Sequence, residues 1–408
     1  MDAARIASVQ RAFEHEFARH ERAAVPEGFP VLPEVPVGRY TRPDFYEAER
    51  RHLWTKAWLI AGHVDELPEI GSFKLWERAG WPVVLVRGKD RRIRAFFNSC
   101  RHRGGGLVRE ACGKARVLAC KFHAWTYNLE GRLVFVPDEH EFPQLDKASH
   151  GLLPLRCETW GNLIFVNRDP HAPPLLEALG KIVPGLAHFD FEQRRVAAIV
   201  EYDLPCNWKV VVDAFQESYH INATHPATVA PVLDSRGSVI ELWPGGHSVL
   251  TVPRRRDGGG KQDFILDAGS RSEDPRHVIT RESNISFTIY PNIIGTAAEY
   301  QFPMLCFWPT SLNTTHVDIL ITEPANCPEM DPAQGRAIIE QFGVVMQEDM
   351  GNVSALQKSI EAGALSHIRL GYHERRIYQF HEQLDRDLGE HVPPDLRLPP
   401  VLAPFLDR

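Results

Sequence analysis

At 408 residues the chain is too long for one compact core and reads as two domains with a terminal arm. Its 43% hydrophobic and 24% charged residues are ordinary for a globular protein, and a formal net charge of -7 argues against nucleic acid or an anionic membrane as its main partner. No apolar run is long enough to span a bilayer, and the seven scattered cysteines, odd in number, point to a reducing cytoplasm rather than a disulfide framework.

The first predicted element is an amphipathic arm over residues 1–45, with Ile6, Val9, Phe13 and Phe17 at helical spacing, packed on its own chain or on a sister subunit. A helix is expected from Arg42 to Gly62 on the periodicity of Phe45, Leu53, Trp54, Trp58 and Leu59. The signals then become short and strand-like: Val83–Arg87, Ile93–Asn98, Arg116–Cys120, Arg132–Val136 and Leu163–Asn167. They predict a small all-β domain over 46–168. A Pro-rich stretch marks a joint, placed at 169–195. The remainder, 196–408, reads as α+β. It has a helix near Asn207 to Ile221, strands between Ile240 and Thr322, and a long helix opened by Asp331 and Pro332 that runs to about Ala362.

Two constellations carry chemistry. The first is Cys100-x-His102 followed, after seventeen residues, by Cys120-x2-His123. Two Cys and two His in short paired spacings can hold zinc or an iron–sulfur cluster. Two such loops at hairpin tips can each give a thiolate to one iron and an imidazole to the other. Gly104, Gly105 and Gly106 let the backbone close on a cluster, while Arg101, Arg103 and Lys121 either guide a redox partner or are plain surface charge.

The second is Glu217-x2-His220-x4-His225-Pro226. Glu217 and His220 would share a helical face, and Pro226 disfavours helix at His225, so the chain should turn and let both imidazoles converge. Two His and a carboxylate form the facial triad of non-haem iron oxygenases. A candidate for the carboxylate lies on the apolar stripe of the long helix, where Ile338, Phe342, Val345, Met346, Val353 and Leu356 surround Asp349. A carboxylate on such a stripe is a metal ligand or half of a buried ion pair. Glu348 lies toward a more polar flank. Ile221, Phe342 and Val345 are the candidate lining of an apolar pocket, which suits an aromatic or alicyclic substrate.

Cys100-Arg-His102-Arg-Gly104 and Cys120-Lys-Phe-His123-Ala-Trp125, with Tyr127, Leu129 and Gly131, resemble the Rieske domain of ring-hydroxylating oxygenase α subunits. Asn207-Trp208-Lys209, Glu217-x2-His220-x4-His225 and Glu348-Asp349 with Gln357 resemble the catalytic signature of the same family. The resemblance implies an all-β Rieske [2Fe-2S] domain and a helix-grip-type antiparallel-sheet domain with a long C-terminal helix. It implies Cys100, His102, Cys120 and His123 as cluster ligands, and His220, His225 and Asp349 as ligands of a mononuclear Fe(II). Glu217 matches the acidic residue that links a Rieske histidine of one subunit to an iron histidine of its neighbour, in a head-to-tail homotrimer. Two positions depart from the family. Ala124 stands where Gly is usual, a mild change unless the residue needs positive φ. Ala214 stands where Asn is usual, which leaves Asp213 as a candidate for a supporting contact at the iron. The activity implied is O2-dependent mono- or dihydroxylation, or oxidative demethylation. No Gly-x-Gly-x-x-Gly fingerprint is present, so NAD(P)H oxidation is assigned to a separate reductase, with or without a ferredoxin, and a small β subunit is compatible. The alternatives are a Rieske electron carrier with a non-catalytic ligand-binding domain, and a structural zinc site in a regulatory protein.

Overall fold

The computed structural model describes residues 1–256, 274–297, 301–326 and 332–407. They form two compact units, 54–175 and 1–53 together with 176–408.

In the unit 54–175, strands β1 (Leu59–His63), β2 (Ser72–Arg78), β3 (Trp81–Arg87), β4 (Ile93–Phe97) and β5 (Cys112–Lys114) join β9 (Pro154–Trp160) and β10 (Leu163–Asn167) in an antiparallel sheet of order β1-β10-β9-β4-β3-β2-β5. Strands β6 (Leu118–Ala119), β7 (Thr126–Tyr127) and β8 (Leu133–Phe135) make a second small sheet. The core under it gathers Phe73, Val84, Val86 and Phe96 with Leu118, Trp125, Tyr127 and Leu133.

The expected helix from Arg42 to Gly62 is only half realised. A helix covers Pro43–Ala48 and a π turn Glu49–Leu53, but Leu59–His63 is strand β1. Every residue of that strand is buried, so it has no polar face for a helix to expose, and pairing with Leu163–Asn167 satisfies its backbone.

The other unit is built on an antiparallel sheet of β11 (Arg194–Leu204), β12 (Val239–Leu242), β13 (Ser248–Pro253), β14 (Ser283–Ile289), β15 (Ile293–Ala297), β16 (Phe302–Ser311) and β17 (Thr314–Pro324), in the order β11-β17-β16-β15-β14-β13-β12. Helices α1 (Ala3–Glu21), α2 (Trp208–Ala214), α3 (Ile221–Thr224), α4 (Pro332–Glu361) and α5 (Arg375–Leu388) belong to the same unit. Asp331, the expected cap of α4, and the side chain of Ile338 lie outside the described residues. Leu356, assigned to the apolar stripe of α4, is exposed.

The N-terminal helix α1 packs on its own chain, one of the two placements expected for it. Val9 and Phe13 of α1 are buried, and the Phe17 ring lies so close to Gly237 that a Cβ there would come within 2.5 Å of it. The expected joint at 169–195 contains the division between the two units, after residue 175. Leu175, Leu179, Ile182, Leu186, Phe189 and Phe191 are buried within its short helical turns and their flanks.

The segment ahead of Glu217 is held by groups that only burial explains. The Asn207 side chain accepts the Lys209 N–H at 3.0 Å as helix cap, and the Asn207 backbone N–H donates to Gln357 Oε1 of α4 at 2.8 Å. Lys209 Nζ pairs with Glu49 at 2.7 Å with both side chains fully buried, and Trp208 Nε1 donates to the same carboxylate at 3.2 Å. Burial pushes the Lys209 ammonium down and the Glu49 carboxyl up, each opposed by its partner. Lys209→Met, which strands Glu49 in the core, should cost about 3–5 kcal/mol, and adding Glu49→Leu should restore most of it. Urea unfolding of the two variants checks this; equal losses in both would show that the pair is not coupled.

Candidate functional site

Cys100 and Cys120 open two turns of the same design. Cys100 N–H donates to Gly105 O at 2.8 Å and Gly104 N–H to Cys100 O at 2.9 Å. In the second turn Cys120 N–H donates to Trp125 O at 2.9 Å and Ala124 N–H to Cys120 O at 3.0 Å. The fourth residue after each cysteine takes positive φ, 76° at Gly104 and 55° at Ala124. This design buries both thiols and brings the His102 and His123 ring centroids to 4.7 Å. The turns face each other closely: a Cβ at Gly105 would stand 3.0 Å from Cys120 Sγ.

The His102 ring stacks on Trp125 at 4.8 Å, and its Nδ1 is buried without a hydrogen-bond partner among the described residues. A metal-directed nitrogen accounts for this, and two thiols with two imidazoles on facing turns fit a [2Fe-2S] group. Tyr127, which the sequence marked only as part of a motif, has a role here. Its hydroxyl accepts the Arg101 N–H at 2.9 Å and lies 3.3 Å from Cys100 Sγ, to which it can donate. Burial and that sulfur raise its pKa, so the hydroxyl keeps its proton.

In the other unit the expected continuous helix from Asn207 to Ile221 is broken. It ends at Ala214 and resumes as α3, so Glu217 and His220 lie on an irregular turn rather than on one helical face. Glu217 organises that turn, accepting from the backbone N–H groups of Tyr219 and of His220, the latter at 3.1 Å. It also meets His220 Nδ1 at 2.6 Å. Helix α3 stops before His225, as Pro226 requires.

His220, His225 and Asp349 converge, with one ligand atom from each within 4.8 Å of the others. His225 Nε2 lies 2.9 Å and His220 Nε2 3.6 Å from Asp349 Oδ1. The opposite nitrogens face other carboxylates: His220 Nδ1 faces Glu217, and His225 Nδ1 faces Glu348 at 2.7 Å. Thr228 Oγ1 donates to Glu348 at 2.6 Å.

Burial pulls both imidazoles toward the neutral form, but the carboxylates outweigh it and both titrate above the ordinary range. Burial pushes the Glu348 carboxyl up, yet the Thr228 and His225 hydrogen bonds bring it below its usual value. Glu348 therefore orients a ring while Asp349 faces the point of convergence. Adjacent positions on α4 thus address the two sides of one imidazole, that of His225.

Asp213 does not join this group. Its Oδ2 accepts from Tyr40 Oη at 2.6 Å and stands 3.3 Å from His381 Nε2, because α2 turns it toward α5. The triad opens on a cavity of about 130 Å³. Ile221, Phe342 and Val345 line it, along with Phe215, Val229, Leu305 and Met346. Asn284, Ser286 and Thr296 also line it, and no sequence signal had separated them from other strand residues.

Residues 57–147 match the family model of the Rieske [2Fe-2S] domain, and 191–390 that of the ring hydroxylating alpha subunit catalytic domain. The carnitine monooxygenase oxygenase subunit of Escherichia coli (strain K12) is 33% identical over 350 residues, which cover 83% of this chain and 88% of that one. The biphenyl 2,3-dioxygenase subunit alpha of Rhodococcus jostii (strain RHA1) is 36% identical over 212 residues, 50% of this chain and 46% of its own. A solved quaternary ammonium Rieske monooxygenase superposes with a TM-score of 0.76 at 24% identity, covering 89% of this chain and 98% of the other. Among the described residues no helix is long and apolar enough to cross a membrane.

The Ala124 backbone carries the strain that glycine would avoid. Ala124→Gly should stabilise the unit 54–175 by about 0.5–1 kcal/mol, the left-handed penalty less the added unfolded-state freedom. A rise in its thermal midpoint checks this. An unchanged or lower midpoint would mean that the turn tolerates the methyl group without cost.

Proposed function

Since the chain belongs to the Rieske-type ring-hydroxylating oxygenase α subunits, we propose that it is the terminal oxygenase component of a multiprotein system, fed by a separate NAD(P)H-oxidising reductase. The observation that carries this reading is the convergence of His220, His225 and Asp349 on a mostly apolar cavity, each imidazole held from behind by a carboxylate. When bound, the [2Fe-2S] cluster carries single electrons and the mononuclear Fe(II) activates dioxygen.

The chain's own groups hold these centres and shape what reaches them. Cys100, Cys120, His102 and His123 are the cluster donors, and the Tyr127 hydroxyl stabilises negative charge on the Cys100 sulfur. Glu217 and Glu348 accept from the Nδ1 atoms of His220 and His225, which leaves each Nε2 with its lone pair toward the metal. Asp349 Oδ1 completes the set, and Phe215, Val229, Phe342 and Met346 keep bulk water from the reacting carbon. Glu217, on a turn beside the exposed Tyr219, is also the group proposed to reach a cluster histidine of a neighbouring subunit in a homotrimer.

The expectation of an apolar aromatic or alicyclic substrate is revised. The relative matched over most of its length is named for carnitine, and the cavity wall carries polar side chains. The substrate proposed is a small molecule with an oxidisable aliphatic or N-methyl carbon and a polar end. Hydroxylation of an N-methyl carbon leads to its loss as formaldehyde. A second reading, dihydroxylation of an aromatic ring, is favoured by the biphenyl-named relative and by the apolar share of the wall.

Anaerobically purified protein should contain about three irons and two acid-labile sulfides per chain, as one [2Fe-2S] cluster and one further iron require. Asp349→Ala should remove the mononuclear iron and spare the cluster, while Glu348→Ala should weaken iron binding about 10–100-fold. Iron analysis after dialysis distinguishes them; the reverse order would exchange their roles, and wild-type protein with two irons and no reloadable third would reduce it to an electron carrier. Glu217→Gln should keep both centres and lose nearly all reductase-coupled product formation. Turnover at the wild-type rate would remove Glu217 from the electron route.

A further inference from the structure

The cavity has two kinds of wall. The metal-facing side comes from the 215–229 segment and α4, and the rest from the sheet face of β13, β14, β15 and β16. On that face Leu250 lies opposite Ser286, Ser286 opposite Thr296, Val252 opposite Asn284, and Ile294 opposite Leu305. Cross-strand partners and alternate residues along a strand share a face, so Asn284, Ser286 and Thr296 form one polar patch in an apolar floor. Their strand neighbours Ile285 and Phe287 are buried on the other side.

The patch combines a place on the cavity wall with missing partners. Several other polar side chains of these strands are tied: Ser248 and Thr288 accept from Arg376 at 3.0 and 2.8 Å, and Ser283 donates to Ile279 O at 2.5 Å. The side chains of Asn284, Ser286 and Thr296 make no hydrogen bond to another described residue. They are partly exposed, and the cavity is what they line.

Covering a hydroxyl or amide without replacing its bond to water costs about 1–3 kcal/mol. A hydrocarbon filling the cavity would incur that cost at each group, and a hydrogen-bonding ligand would not. Charge narrows the class. Among the described lining residues there is no Lys or Arg to match a carboxylate. The carboxylates present, Glu217 and Asp349, already face His220 and His225. Hydroxyls and an amide both donate and accept, which suits an uncharged group.

We propose that Asn284, Ser286 and Thr296 are a specificity subsite for an uncharged hydrogen-bonding group of the substrate, a hydroxyl, carbonyl or carboxamide. The substrate class is a compact apolar body, close to one benzene ring in size given the cavity volume, that carries such a group. This deepens the oxygenase reading and rests on it.

The test is equilibrium binding by calorimetry to the iron- and cluster-loaded protein, with benzamide, toluene, benzoate and tetramethylammonium as probes. Benzamide should bind at least about tenfold more tightly than each of the others, the worth of one well-placed hydrogen bond and a half. Ser286→Ala with Thr296→Val should bring benzamide and toluene to within about threefold, and Asn284→Leu alone should lower the preference in part. Absence of a benzamide preference in the wild type, or a preference that survives the double substitution, overturns the proposal. Tighter binding of tetramethylammonium or benzoate also overturns it, in favour of a charged substrate. Failure of the oxygenase reading is seen separately, in the iron and sulfide content of the same wild-type sample.

Discussion

A metal-binding imidazole is oriented, and its tautomer fixed, by the partner of its other nitrogen, and the catalytic unit is arranged around that constraint. Glu217 holds His220 from within the same turn, and Glu348 holds His225 from the long helix. Both rings then direct Nε2 toward Asp349. The break after Ala214, the stop before Pro226 and the placement of two adjacent carboxylates on α4 serve that geometry. A regular helix through Glu217 and His220 would have left Glu217 unable to accept from the Tyr219 and His220 N–H groups as well as from the ring.

A tightly packed base keeps these parts in register. Asn207 caps α2 and bonds to Gln357, so the helix ahead of the histidines and the helix carrying Asp349 are tied one to the other. Lys209 and Glu49 anchor the same helix from beneath, with Tyr40, Asp213 and His381 in a neighbouring buried network. Buried polar networks of this kind act on geometry more than on net stability, because their Coulombic gain is largely offset by desolvation. The α1 helix, by filling the space over Gly237, adds to the same body.

The Rieske unit solves a related problem by repetition. Two turns with the same pair of backbone hydrogen bonds and the same positive-φ corner each present a buried thiol. That repetition explains why an alanine survives at 124: the hydrogen bonds on either side hold the corner whatever its side chain, at the expense of some local strain.

The residue order by itself determined the chemistry on offer. Cys-x-His and Cys-x2-His can be read directly, as can Glu217, His220, His225 and the carboxylate on the stripe of α4, because ligand type and short spacing are local properties. Strands such as Leu163–Asn167 were legible for the same reason, since their boundaries are set by neighbouring turn residues. Tertiary structure alone decided the rest. Whether Leu59 to His63 is helix or strand depends on a partner a hundred residues away. Asp213 turns to Tyr40, and Glu348 to His225, because of contacts between elements distant in sequence. Asn284, Ser286 and Thr296 look like any alternating polar residues until the fold sets that face of the sheet against the cavity, since a period of two says that residues share a face but not what that face meets.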